Sequence, residues 1–142
     1  MRYAFPVRLV VLAMALMTAA CDNGDSPTAP TPNPTVTETF TGTITRNGSQ
    51  LHAFVATAAG PVTATITAVD PADSPAFGFS MGTLDLVTGV CTAVLTNRAA
   101  TTSAVLTGNV VGISGLCIQL FDASGTIPAD VPVNYTLTVV HP

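Results

Sequence analysis

The chain has 142 residues, 48% of them apolar and only 8% charged, which excludes a disordered polyelectrolyte and supplies enough apolar side chains to fill a core. Four Arg, no Lys and eight Asp or Glu leave a net charge of −4, so there is no basic footprint to neutralise phosphates. That balance argues against a nucleic-acid partner.

The first elements in chain order are those of an export signal. Arg2 and Arg8 precede the apolar run Leu9 to Met17, and the small residues Thr18, Ala19 and Ala20 follow it, so residues 1–20 read as a signal peptide too short to span a bilayer. Cys21 comes next. The segment Met17-Thr-Ala-Ala-Cys21 resembles the lipobox of bacterial lipoproteins, which implies a diacylglyceryl thioether on Cys21 and cleavage before it. After cleavage only Arg46 and Arg98 remain against all eight acids, so attachment to a membrane would rest on covalent lipid and not on a basic surface. The expected location is therefore a bacterial membrane, on its periplasmic or cell-surface side. Asp22 resembles the residue that retains enteric lipoproteins on the inner membrane, and the leaflet stays open.

Residues 21–35 carry Pro27, Pro30, Pro32 and Pro34 among Ser, Thr and Asn, and are expected to form a linker, since proline removes backbone donors and biases its neighbours to extended geometry. At ~3.1 Å per residue such a stalk reaches about 40 Å. Residues 36–142 remain for one folded domain.

From Val36 onward the pattern has period two. Thr37, Thr39, Thr41, Thr43 and Thr45 alternate with Val36, Glu38, Phe40, Gly42 and Ile44. In residues 62–69 threonine faces out while Val62, Ala64, Ile66 and Ala68 face in, and near the end Val133, Tyr135, Leu137 and Val139 point inward. Turn signals stand between such runs: Asn47-Gly48, Gly60-Pro61, Asp70-Pro71, Thr88-Gly89, Asn97, Gly108-Asn109 and Gly125. Strands are expected near 36–45, 50–57, 61–69, 76–86, 91–96, 102–111, 115–122 and 133–140. That number and spacing predicts an all-β fold, an antiparallel, jelly-roll-like β-sandwich of about eight strands. The expected core is Phe40, Ile44, Phe54, Ile66, Phe77, Phe79, Leu95, Leu106, Ile118, Leu120, Tyr135, Leu137 and Val139. Cys91 and Cys117, on neighbouring predicted strands of an exported chain, read as a disulfide, with two buried thiols as the alternative.

Several segments resemble a known family when taken in order. Glu38-Thr-Phe-Thr-Gly-Thr-Ile44, the turn Arg46-Asn-Gly-Ser49, His52-Ala-Phe-Val-Ala56 and Gly60-Pro-Val-Thr63 resemble the opening of the bacterial pre-peptidase C-terminal domain. Cys117-Ile-Gln-Leu-Phe-Asp122 and Tyr135-Thr-Leu-Thr-Val139 are similar to its last two strands. The resemblance implies a β-sandwich module of a secreted protein, in a family often attached to peptidases and with relatives that bind collagen or other polymers. Here a signal and stalk precede the module. After cleavage the chain would keep no Trp and only Tyr135, which speaks against a collagen-type aromatic surface.

Gly78-Phe-Ser-Met-Gly82 matches the G-x-S-x-G nucleophile elbow, and Asp122 or Asp130 followed by His141 supplies the hydrolase order of acid and base. That chemistry needs a strand-to-helix turn, whereas Thr83-Leu-Asp-Leu-Val87 continues a strand, so Ser80 is expected on a sheet face with no catalytic role. His52 and His141 are the only histidines and no C-x-x-C or H-x-x-x-H spacing occurs, so no zinc site and no cofactor is implied. His52 is expected to be a half-exposed strand residue. Asp70, Asp73 and Ser74 share a loop and form a weak calcium candidate, although Asp before Pro explains the same residues as turn formers. Asn47 and Asn134 head glycosylation sequons that a bacterial lipobox makes incidental. Taken together, the sequence points to a non-catalytic, lipid-anchored envelope or surface lipoprotein whose sandwich binds a polysaccharide, other polymer or protein through a sheet face or loops. The alternatives are a structural envelope protein without a dedicated ligand and, third, a Ser80 hydrolase.

Overall fold

A strand that is apolar on one face needs partners at its edges and a second layer beneath, and eight segments of this chain meet both needs by forming two sheets. The computed structural model describes residues 33–142; the expected signal peptide, the lipidation site Cys21 and the linker as far as residue 32 lie outside the described residues. The strands are β1 (Val36–Ile44), β2 (Ser49–Ala56), β3 (Gly60–Asp70), β4 (Phe77–Leu84), β5 (Cys91–Ala100), β6 (Val105–Val110), β7 (Ser114–Phe121) and β8 (Val133–His141). One sheet has the order β1-β8-β3-β6 and the other β2-β7-β4-β5, every pairing antiparallel. Successive strands thus alternate between sheets until β4 and β5, the double-sheet arrangement of a jelly roll.

The core lies between the sheets. Ile66, Phe79, Ile118, Leu120, Leu137 and Val139 are fully enclosed there, joined by Ile44, Phe54, Phe77 and Tyr135. Three expected core residues, Phe40, Leu95 and Leu106, are only partly buried. They belong to β1, β5 and β6, each an edge strand with a neighbour on one side only, so part of the inner face stays open. The core also takes in Ala56, Val62, Ala64, Met81, Ala100, Leu116, Val133 and the loop residue Ile127.

The outer face of the first sheet is the wet one. Thr39, Thr138 and Thr65 stand in register across β1, β8 and β3, where a β-branched hydroxyl side chain suits a solvated pleat. Ala68 does not face in as its period suggests. Ile66 pairs with Leu137 but Ala68 with Thr136, so Thr67 is an extra residue, and the bulge turns Ala68 to solvent and Val69 toward the core.

A second bulge moves the boundary of β5. Phe79 pairs with Asn97 and Phe77 with Ala100, and Asn97 uses its side-chain oxygen to accept the Ala99 amide inside the strand instead of forming a turn. The strand therefore continues to Ala100, and the turn falls at Thr101–Ala104, where Ser103 takes a positive φ of 70°.

β4 is buried on both faces from Phe77 to Gly82. Its inner side carries Phe79 and Met81. On its outer side a Cβ at Gly78 would run into the Phe121 ring, and one at Gly82 would meet the main chain of Thr92 and Ala93. Cys91 and Cys117 are disulfide-bonded, with Cα atoms 5.9 Å apart. They are not on adjacent strands as expected: β5 and β7 flank β4, so the bond crosses it beside Gly82. A structural disulfide belongs to an oxidising compartment, which makes this an exported protein.

The bond closes a span of 26 residues, for which loop entropy gives about 3.5 kcal/mol. Replacing both Cys91 and Cys117 with Ala is expected to lower the unfolding free energy by about that amount and the Tm by roughly 15 °C. Thermal and denaturant melts of the double variant, with and without reductant, check this.

Candidate functional site

Ser80 sits in the middle of β4, 2% exposed, and its hydroxyl donates to the Gln119 carbonyl at 3.4 Å. His141 closes β8 in the other sheet, where its Nε2 donates to Glu38 Oε1 at 2.9 Å and its ring packs 5.0 Å from Phe54. Asp122 directly follows β7 and accepts the backbone amides of Asn47, Ser124 and Thr126. Burial pushes its carboxyl up, but these amides with that of Ile127 outweigh it and hold Asp122 below the usual carboxylate range. Asp130 lies in the loop after β7 and makes no described hydrogen bond to either His141 or Ser80. The residues that match a hydrolase in order are therefore spent on three separate structural tasks. The glycines of the motif have their own reason, since they make room for Phe121 and the β5 backbone.

Asp70 and Asp73 are exposed on either side of Pro71, with Ser74 donating its amide to the Pro71 carbonyl at 3.1 Å. Among the described residues no group of three His, Cys, Asp or Glu is placed to hold a metal ion. The loop has the turn chemistry expected of Asp before Pro.

His52 is half-buried at the edge where β2 faces β1. Its Nε2 lies 2.7 Å from the Tyr135 hydroxyl and its ring stacks on Phe40 at 4.9 Å. Tyr135 reaches it by crossing Gly42 of β1, where a Cβ would collide with the phenol. Burial pushes the Tyr135 hydroxyl up to about 12 and holds the His52 imidazole below the ordinary histidine value. Both are satisfied when the Tyr135 hydroxyl donates a hydrogen bond to a neutral His52 imidazole. Phe40, His52, Tyr135, Phe54 and His141 thus form a row of rings that closes this edge of the sandwich.

The other edge, between β5 and β6, is open. A cleft of about 260 Å³ lies there with Val62, Met81 and Leu116 in its floor, Leu95 and Gly108 in its walls, and Val94 and Val111 at its mouth. Gly108 keeps the wall thin, because a Cβ there would already touch Met81 and Leu95 at 3.2 and 3.5 Å. β5 is bulged at this point: Met81 pairs with Leu95 and Gly82 with Ala93, leaving Val94 unpaired in the register and 69% exposed. Sites of drug size occupy roughly 300–1,000 Å³, so this cleft takes one or two aliphatic side chains and not a cofactor. Sequence reasoning missed it. The available signal was Val111 just beyond the Gly108-Asn109 turn signal, where polar residues are the rule.

No protein-family model matches the chain, and no curated protein matches it. Among solved structures, the antigen and type I fimbria protein of Burkholderia pseudomallei aligns at 16% identity over 75% of this chain and 97% of its own, with a TM-score of 0.29. At that TM-score the likeness carries no argument.

Because burial lowers the His52 pKa in the folded state, the unfolded chain takes up a proton first as pH falls. The stability contributed by a neutral His52 is therefore complete above about pH 7 and is lost as pH drops through about 6.5 toward the folded value. Denaturant midpoints at about pH 7.5 and about pH 5 should differ less for His52→Gln than for the parent protein.

Proposed function

We propose that the protein is a non-catalytic, lipid-anchored module of the bacterial cell envelope or surface, with Cys21 as the lipidated residue and residues 36–142 as its folded domain, and that the sandwich binds a protein partner at the cleft between β5 and β6. The observation that carries this reading is an apolar cleft of one to two side chains' volume between two edge strands, beside the Val94 bulge. Edge strands offer unpaired amides and carbonyls, so an extended segment can add to β5 or β6 and place an aliphatic side chain in the cleft.

A protein fits better than a polysaccharide. Sugar rings are commonly gripped by exposed aromatic faces, and the exposed large apolar residues described here are all Val, Leu or Ile. A relationship to the pre-peptidase C-terminal domains belongs to the same proposal. What supports it is that the segments carrying the resemblance form β1, β2, the start of β3, β7 and β8 of a single sandwich.

Capture is tested with the full chain as bait against secreted proteins of the producing organism, host matrix proteins and envelope polymers, with calcium and with chelator. Val94→Asp puts a charge at the mouth while leaving the core untouched, and should cost less than about 0.5 kcal/mol of stability. Saturable capture of a protein that falls at least tenfold with Val94→Asp, about 1.4 kcal/mol or more, supports the reading. Capture indifferent to Val94→Asp, or of a polysaccharide alone, overturns it.

A further inference from the structure

The two ends of the sandwich differ in kind. Strand register decides which loops share an end: Ala56 pairs with Ser114, Gly60 with Val110, Leu84 with Cys91 and Val36 with His141. The β2–β3, β4–β5 and β6–β7 connections therefore lie together. The described chain also begins at this end, where Asn33 Nδ2 donates to the Ala59 carbonyl at 2.8 Å. Here the loop residues Val111, Val87, Ile113 and Leu86 are 98%, 95%, 80% and 67% exposed. The opposite end carries Arg46, Asp73, Asp122 and Asp130 on its loops and Asp70 at the end of β3, as solvated turns should, and the exposed large aliphatic residue on those loops is Val131 at 42%.

We propose that the apolar end rests on a lipid bilayer, with the tips of the β4–β5 and β6–β7 loops inserted among the upper acyl segments, so that the domain stands on the membrane and does not swing free on its stalk. This rests on the lipid anchor assigned to Cys21 above. Cys21 and Asn33 are twelve positions apart, and at most ~3.6 Å per step these reach about 43 Å. An anchor joined to this end holds the loops at high effective concentration near the bilayer, so a few aliphatic side chains suffice where a free domain would bind weakly.

The charges decide what kind of bilayer it is. Among the described residues no Lys or Arg lies on these loops. Their one acid, Asp85, has its carboxylate turned onto the Val87 and Thr88 amides at 2.8 and 3.0 Å, which stiffens the loop that presents Val87. Contact is thus apolar, without the attraction to anionic lipid that a basic patch provides. Val111 is shared with the mouth of the cleft, but Val87 and Ile113 do not line it, so the membrane contact can be altered through these two without touching the protein site.

The test uses the full chain purified from bacteria and reconstituted into phosphatidylcholine vesicles. Intact mass reports lipid on Cys21, and hydrogen exchange reports the loops. The expected result is exchange slowed several-fold at residues 85–90 and 111–113 on vesicles relative to the same protein free in solution, with residues 101–104 at the opposite end unchanged. Phosphatidylserine should not increase the effect, and the paired variant Val87→Asp, Ile113→Asp should abolish it at an unchanged Tm. Protection that is absent, spread over both ends, or dependent on protein concentration without vesicles overturns the proposal, the last in favour of self-association. If Cys21 carries no lipid, the anchor reading fails by itself; docking is then read by flotation of the unlipidated chain with excess vesicles, where the paired variant should lose about tenfold in partition. Equal flotation of parent and variant overturns docking.

Discussion

β4 is the strand on which the rest of the sandwich depends, because it alone is covered on both faces over most of its length. A strand in that position must fill the core on one side and admit its neighbours' side chains on the other. Phe79 and Met81 do the first. Gly78 and Gly82 do the second, one beneath the Phe121 ring and one against the β5 backbone, with Ser80 between them satisfied by the Gln119 carbonyl. The Cys91–Cys117 bond then holds β5 and β7 together across β4. A side chain at position 82 would collide with the β5 backbone, and one at position 78 would force the Phe121 ring aside. A five-residue motif that spells a hydrolase nucleophile is here the solution to a packing problem.

Closing the middle of the second sheet leaves two open margins, and the chain treats them differently. At the β1–β2 margin Phe40, His52, Tyr135, Phe54 and His141 lay ring against ring, with the His52–Tyr135 hydrogen bond and the His141–Glu38 pair meeting the polar atoms. The rings cover apolar surface while the polar atoms of His52, Tyr135 and His141 find partners, which is how aromatic and imidazole groups seal a half-wet edge. At the β5–β6 margin there is no such row. Gly108 and the Val94 bulge leave a cleft with aliphatic walls. The sealed margin is structural, and the unsealed one is where the proposed partner binds.

The same economy separates the two ends. Bulk exposure of aliphatic residues is ordinary on a protein surface, but here it is concentrated on loops whose opposite numbers are acidic and polar. The end that carries it is also the end from which the preceding residues run. In the proposed anchored state the membrane lies in one direction from the domain, and the apolar loops face that way.

Much of this was legible in the residues. Alternating threonine and apolar positions from Val36 to Val139 determine eight strands and two faces, because a pleated chain has period two whatever it pairs with. Most large core residues follow from the same pattern, and the cysteine pair from its isolation in a chain expected to be exported. What the linear chain does not contain is which strand stands next to which. Phe40, Leu95 and Leu106 are half-open only because β1, β5 and β6 end their sheets, and Ala68 faces solvent only because Thr67 is an extra residue against β8. The same holds for the cleft, whose floor and walls come from β3, β4, β5, β6 and β7, and for the gathering of Val87, Val111 and Ile113 at one end. Local periodicity is a property of each strand and is set by backbone geometry, whereas edges, clefts and shared ends are properties of pairing between segments distant in sequence, which only the folded sheets decide.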